Sequence, residues 1–335
     1  MDINSKKAVI MMATYNGEKY IRDQIKSLQD QTFTNWDLYI SDDGSLDKTR
    51  AILNEIKKSE PRIKKILLNK NKYHGAFANY FNVMNYIKDN CNSKYDYFFY
   101  CDQDDVWKKE KMLSQIQVIE KMAQKGKPAF CYSDLELCDN NLKDSEDKIS
   151  NHIKQQFIEN PLNEFFKEQY VWGTAMAHDR KLWDLIMVEK VEKVKNNIPH
   201  DSYVSRYAAI YANIEFIDKP LVLYRRTGSN VTSTPQVYSF ASAFKKIALK
   251  LPNIVKNAAS TYGASIYFIK KAPVKNLMLQ DIDNCFNGSI GDKAHFFKKY
   301  NILDKEGKWN RLSTKSIFYS KIYRFCGIYK EIIGY

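Results

Sequence analysis

The chain has 335 residues, 27% of them charged and 44% hydrophobic, which excludes wholesale disorder and allows one large α/β domain with an extension. Its formal charge is +13, yet residues 240–335 hold 17 Lys and Arg against 6 Asp and Glu, while residues 1–239 hold 35 against 33. A near-neutral body with a basic tail gives the tail a polyanion as its natural partner, either an anionic membrane or a nucleic acid.

In chain order, Ala8 to Ala13 reads as a strand ending in the polar turn Thr14-Tyr15-Asn16-Gly17. A helix follows with Ile21, Ile25 and Leu28 on one face. Leu38 to Ile40 is a second strand running into Asp42-Asp43-Gly44-Ser45, and a helix with Ile52, Leu53 and Ile56 inward comes next. Ile63 to Leu68 and Tyr97 to Cys101 read as third and fourth strands, the fourth ending at Asp102. Strand alternating with helix predicts a mostly parallel, doubly wound sheet with ligand-binding turns at its carboxyl edge. Trp107 to Met122 reads as a helix, Phe130 to Asp134 as a strand and 139–160 as a surface loop or lid. Strands over Val171 to Ala177 and Phe216 to Tyr224 flank a helix near 201–212, and beyond about 235 the pattern is helical and basic.

Lys6 and Lys7 precede an apolar run that breaks at Thr14, which does not resemble a secretory leader. Cysteines 91, 101, 131, 138, 285 and 326 form no C-x-x-C pair, and several lie in apolar runs. A reduced, cytoplasmic compartment is expected.

Four clusters carry chemistry. Thr14 to Glu18 and Asp42 to Ser45 follow neighbouring strands; a carboxylate there can accept the imide N–H of a pyrimidine base, or both turns can simply be Asn, Gly and Asp serving backbone geometry. Asp102-Gln103-Asp104-Asp105 puts three carboxylates in four residues, which repel unless a cation intervenes; oxygen donors of this kind suit Mg2+ or Mn2+ bridging a diphosphate. The alternative is a solvated acidic turn capping the next helix. His200-Asp201 opens a helix after Pro199, so Asp201 is either a general base or a helix cap. Arg225 and Arg226 end a strand, placed either to clamp diphosphate oxygens or to lie as surface charges.

In their order these clusters resemble the family 2 glycosyltransferases of GT-A fold, especially bacterial rhamnosyltransferase-like enzymes of polysaccharide and O-antigen assembly. The matching stretches are MATYNGEKYIRDQIKSLQDQTFTNWDLYISDDGSLDKT, FFYCDQDDVWKKEKM, WGTAMAH, PHDSYVSRYA and LVLYRRTGSNV, within roughly residues 8–232. The resemblance implies an inverting, metal-dependent transfer of a sugar from a nucleoside-diphosphate donor, dTDP-rhamnose or a UDP-hexose, to a saccharide hydroxyl on a lipid-linked acceptor. It implies that Thr14, Tyr15, Glu18, Asp42, Asp43 and Asp102 hold the nucleotide and that Asp102 and Asp104 match the metal-binding D-x-D. Asp201 matches the base. Trp172, Gly173, Thr174 and His200 border the acceptor, with Arg225 and Arg226 at the diphosphate. Relatives often read Y-R-Q-H-G-x-N at the last motif; here Arg226 and Thr227 replace the Gln-His pair. That departure keeps a second reading open, a sugar-nucleotide binder that does not catalyse.

On this reading residues 1–235 form the catalytic domain, its nucleotide half ending near 110 and its acceptor half spanning 111–235, and 236–335 form a basic helical extension. Within 311–335, Ile317, Phe318, Ile322, Phe325, Ile328, Tyr329, Ile332 and Ile333 form one helical stripe bordered by Lys315, Lys321, Arg324 and Lys330. Such a helix either lies peripherally on the inner face of the plasma membrane or packs on the domain or a second subunit as a homodimer. No zinc-ligand spacing or RRM-type motif supports nucleic acid as a partner.

Overall fold

The computed structural model describes residues 3–91, 93–152, 156–166, 171–226, 243–302 and 316–334. The first part alternates as read: β1 (Ala8–Thr14), α1 (Ile21–Gln29), β2 (Trp36–Asp42), α2 (Thr49–Ser59), β3 (Ile63–Leu68), α3 (Ala76–Cys91) and β4 (Tyr97–Cys101). β3, β2, β1 and β4 lie side by side in parallel, with Met11 opposite both Tyr39 and Tyr100. Alternate residues of β1 serve opposite faces, because side chains on a strand point up and down in turn. Val9 and Met11 pack with α3, whereas Ala8, Ile10 and Met12 pack with α1 and α4. With both faces covered, these strands are continuous apolar runs.

The chain continues through β5 (Val106–Trp107), α4 (Lys111–Ala123), β6 (Ala129–Cys138), β7 (Asp144–Lys148), α5 (Ile149–His152), α6 (Gln156–Glu159), β8 (Met176–Asp179), α7 (Arg180–Leu185), α8 (Val191–Val194), α9 (His200–Tyr211) and β9 (Asn213–Arg225). The strand order is β3-β2-β1-β4-β8-β6-β9-β5, with β7 on β6. β8 runs antiparallel to both β4 and β6, so the sheet is mixed and mostly parallel, as expected.

Local readings differ from the structure in five places. Trp107 lies on β5 rather than in a helix, and its indole is held by the Thr174 hydroxyl at 3.2 Å. Part of the supposed loop 139–160 is a strand, β7, plus short helices. The expected strand from Val171 is a 3-10 turn, Gly173–Ala175, leading into β8. Helix α3 carries little periodic signal in the sequence, because Ala78, Asn79, Tyr80, Phe81, Val83, Met84 and Ile87 are all buried and leave little amphipathic contrast. The tail is not one long helix, as described next.

α10 (Ala243–Lys271), α11 (Leu277–Asn287) and α12 (Ile290–Lys299) form the C-terminal region, closed by a helical turn at 316–320, a 3-10 turn Ile322–Phe325 and α13 (Gly327–Ile333). A side chain at Gly263 would meet Ile332 at 3.1 Å, so the glycine lets α13 lie close against α10. Ile317, Phe318, Tyr329 and Ile332 of the expected stripe are buried, in one apolar core with α9 and α10. The stripe therefore packs mainly on its own chain; residues 311–315 and the boundary at 235 lie outside the described residues. Among the described residues no helix is long and apolar enough to cross a membrane.

Candidate active site

The carboxyl ends of β1, β2 and β4 bring the first two sequence clusters together. Thr14 stands opposite Asp42 in register, and its hydroxyl donates to the Asp42 carboxylate at 3.0 Å. Asp42 also accepts from the amides of Gly44 and Ser45 and from the Ser45 hydroxyl, which folds the turn around it. Gly44 takes φ +84, a left-handed conformation that favours glycine. Asp43 accepts from Asn69 at 2.6 Å and the Gly75 amide at 2.7 Å, and bonds His74 at 3.0 Å. Both carboxylates thus stabilise the turn as well as face the sheet edge.

The loop after β1 is lashed to the start of α2. Asn16 accepts from the Leu46 amide, and Glu18 accepts from the Lys48 amide at 2.8 Å, where a carboxylate suits the helix start. The Gly17 and Glu18 amides donate in return to Thr49 and Asp47. Tyr15 stays half in solvent, 52% exposed, an aromatic face free to stack on a base.

Asp102 to Asp105 follow β4. Tyr80, from α3, donates its hydroxyl to the Asp102 carboxylate at 2.8 Å and to the Cys101 carbonyl at 2.7 Å. Burial raises the Asp102 pKa despite that bond. Burial and the neighbouring Asp102 charge push Asp104 up to about 7, and burial followed by the charges of Asp104 and Asp102 drives Asp105 well above the usual range. Three carboxyls that resist ionisation together are short of positive charge, and a divalent cation fits that deficit. Among the described residues no group of three or more His, Cys, Asp or Glu side chains is placed to hold a metal ion by itself. Mg2+ and Mn2+ sites built on one or two carboxylates plus substrate phosphates do not need such a group.

Arg225 reaches back to the acidic turn. Its guanidinium is buried, donating to the Asp104 carbonyl at 2.8 Å, the Asn140 carbonyl and the Asp23 carboxylate at 3.0 Å. Its amide reaches Asp105 at 3.2 Å. These bonds make Arg225 a strut behind the acidic turn. The Arg226 amide continues the sheet to the Cys138 carbonyl at 2.9 Å, and Thr227 lies outside the described residues.

Asp201 sits in the first turn of α9 and is 6% exposed. It accepts from the Ser202 amide at 2.7 Å and from the Gly173 amide. Burial, reinforced by the charge of Asp102, holds its pKa up at about 7. His200 stacks on Tyr80 with ring centres 3.5 Å apart. Both His200 nitrogens are buried without a hydrogen-bond partner among the described residues, and burial lowers its pKa to about 3, so the ring is neutral. A side chain at Gly173 would come within 2.4 Å of His200 Nε2. The Trp172–Thr174 segment, the His-Asp pair and the acidic turn therefore form one continuous wall, with Tyr80 as the joint.

Sequence reasoning missed several members. Asn79 ties the ends of β1 and β2 by donating to the Thr14 and Ser41 carbonyls. Glu164, buried, accepts from the Ser202 hydroxyl beside Asp201, and the buried Arg206 hydrogen-bonds Ser202 and Ser265. Gln103 lay inside a recognised motif and was the one such residue within reach of a sequence signal.

A mixed, mostly parallel sheet with paired acidic turns at its carboxyl edge and helices on both faces is the GT-A fold of glycosyltransferases. The family model described as glycosyl transferase family 2 matches residues 9–161 of the chain. The chain is 29% identical to the dTDP-rhamnosyl transferase RfbG of Shigella flexneri, over 71% of this chain and 78% of that protein. It is 33% identical to the UDP-Glc:alpha-D-GlcNAc-diphosphoundecaprenol beta-1,3-glucosyltransferase WfgD of Escherichia coli, over 39% of this chain and 47% of that one. The structure of S. aureus TarS 1–349 with UDP-GlcNAc superposes with a TM-score of 0.50 at 14% identity, over 93% of this chain and 80% of that chain, a likeness of fold.

Proposed function

We propose that the protein is an inverting transferase that moves a sugar from a nucleoside-diphosphate donor to a saccharide hydroxyl in the synthesis of a cell-surface polysaccharide. The carrying observation is Asp201: a buried carboxyl on a helix start, held by the Gly173 amide, with a pKa of about 7 and electrostatically coupled to Asp102. A carboxylate so tuned can accept the proton of an attacking hydroxyl near neutral pH. Tyr15, Glu18, Thr14, Asp42 and Asp43 form the nucleotide end, with dTDP-rhamnose the leading donor by similarity to RfbG and UDP-hexoses next.

Asp104, with Asp102, would hold a divalent ion, Mn2+ or Mg2+, which when bound neutralises charge on the departing diphosphate. Asp201 takes the acceptor proton as the hydroxyl attacks from the face opposite the leaving group. Neutral His200 and the Trp172–Thr174 segment line the acceptor side and help exclude water. Similarity to WfgD supports a lipid-linked acceptor, which would be met at the inner face of the plasma membrane.

The test is a thermal-shift screen of UDP-, dTDP- and GDP-sugars, with and without Mn2+, on wild type and Asp104→Ala. Stabilisation by one nucleotide class that needs Mn2+ and is lost in the variant supports the donor site. Stabilisation without any turnover, hydrolysis included, favours the non-catalytic sugar-nucleotide binder.

A further inference from the structure

Three cations converge on the end of α11. Lys293 donates its Nζ to the carbonyls of Cys285 at 2.6 Å and Phe286 at 3.1 Å. Arg324 donates to the Phe286 carbonyl at 3.2 Å, and Lys321 to the Asn287 carbonyl at 3.4 Å. These are final carbonyls of a helix, which lack intrahelical partners. Such an end carries only about half a negative charge. Asp292, bound to Ser289 in the capping box of α12, is the carboxylate acting on Lys293. Asp283, which accepts from the Asn287 side-chain amide at 2.7 Å, is a second carboxylate at this end, so three cations against two carboxylates and the helix end leave a small positive surplus.

The same corner carries apolar side chains in solvent. Lys321 takes φ +57 and starts the 3-10 turn Ile322–Phe325. Residues three apart eclipse on a 3-10 helix, so Ile322 and Phe325 share one edge. They are 49% and 81% exposed. The turn itself is anchored, because Tyr323 between them is fully buried against Tyr262, ring centres 4.7 Å apart. Ile290, also exposed, opens α12 three residues beyond the Asn287 carbonyl that Lys321 reaches.

We propose that this corner docks on an anionic lipid surface, Phe325 and Ile322 entering the headgroup layer while Lys321 and Arg324 meet lipid phosphates. Apolar anchors bordered by cations suit a membrane interface, and the charge of residues 240–335, 17 basic against 6 acidic, is complementary to it. The docking deepens the proposed membrane location and does not depend on the chemistry of the active site. It replaces a flat amphipathic helix with a knuckle of two residues.

The experiment is co-sedimentation of the full chain with vesicles of phosphatidylcholine alone or mixed with phosphatidylglycerol, at low and high salt. Wild type is expected to sediment with the mixed vesicles, less so in high salt. Ile322→Ser with Phe325→Ser is expected to lower vesicle affinity about tenfold or more. Both positions are exposed, so the melting temperature and the nucleotide-sugar shift stay as in wild type. Lys321→Gln with Arg324→Gln should weaken binding and flatten the salt dependence. Equal binding to neutral vesicles, no binding, or unchanged binding by the serine variant overturns the docking and leaves the transferase reading intact. A serine variant that turns a dimer into a monomer without altering vesicle binding assigns the face to a second copy instead.

Discussion

Gln103 clasps Tyr15 with both ends of its side-chain amide, accepting from the Tyr15 amide and donating to the Tyr15 carbonyl, each at 2.9 Å. The pair joins the first turn of the sheet edge to the acidic turn, tying the proposed nucleotide end to the proposed metal end. A side chain at Gly17 would strike Gln103 at 2.2 Å, which shows how close the two turns lie. Gln103→Ala removes two exposed hydrogen bonds, a loss of about 1–2 kcal/mol in preorganisation. Donor affinity should fall roughly 5–30-fold with little change in melting temperature. Isothermal titration with the donor identified by thermal shift checks this; unchanged affinity would show that the clasp is incidental.

Gly173 and His200 are coupled by space. Gly173→Ala places a methyl against the imidazole, which must leave its stack on Tyr80. Overpacking of this kind costs about 1–3 kcal/mol and shifts the amide that bonds Asp201. Adding His200→Ala should restore much of the lost stability, since neighbouring substitutions are not additive. Chemical denaturation of the two single variants and the double variant reads the coupling directly.

Asp201 should govern the pH profile. As a base it acts once deprotonated, so kcat/KM is expected to climb as pH rises through about 7 and to level off above. Asp201→Asn should keep donor binding, lose about 10²–10⁴-fold in rate and flatten that limb. Stability moves the other way. The folded chain holds this proton more tightly than the unfolded chain, so stability drains as pH rises from about 4, the ordinary carboxyl value, towards about 7. Asn carries no such charge, and the variant should melt higher than wild type at pH 8. Full activity in the variant would remove Asp201 from the role.

Arg225 separates strut from clamp. Truncating a buried, hydrogen-bonded cation costs about 3–5 kcal/mol, so Arg225→Ala should unfold well before wild type even without ligand. Arg225→Lys should recover little, because one ammonium cannot reach Asp104, Asn140 and Asp23 in the geometry of a planar fork. A variant of native stability that lost only donor affinity would return Arg225 to the diphosphate.

Much of the sheet was legible because its signals are local. Apolar runs ending in Thr14, Asp42 and Asp102 marked three strands and the edge where ligands bind, and the helix near His200 was placed to within a residue. Helix α3 escaped because burial on nearly all sides erases periodicity, and β7 because its polar run, DSEDK, shows no apolar alternation. Composition found the basic tail but not its shape; the αL conformation of Lys321 breaks the stripe and turns two of its side chains outward.

By itself, then, the chain determined which residue types follow which strands, and through them its resemblance to the family 2 glycosyltransferases and the membership of the acidic wall. Tertiary structure alone decided what each side chain does there: that Arg225 braces Asp104, that Tyr80 links His200 to Asp102, and that Gly173 holds Asp201. Those partners lie up to about 120 positions apart along the chain. Periodicity reports only what repeats within a turn or a pleat, whereas hydrogen bonds, burial and pKa depend on which surfaces the packed core brings face to face.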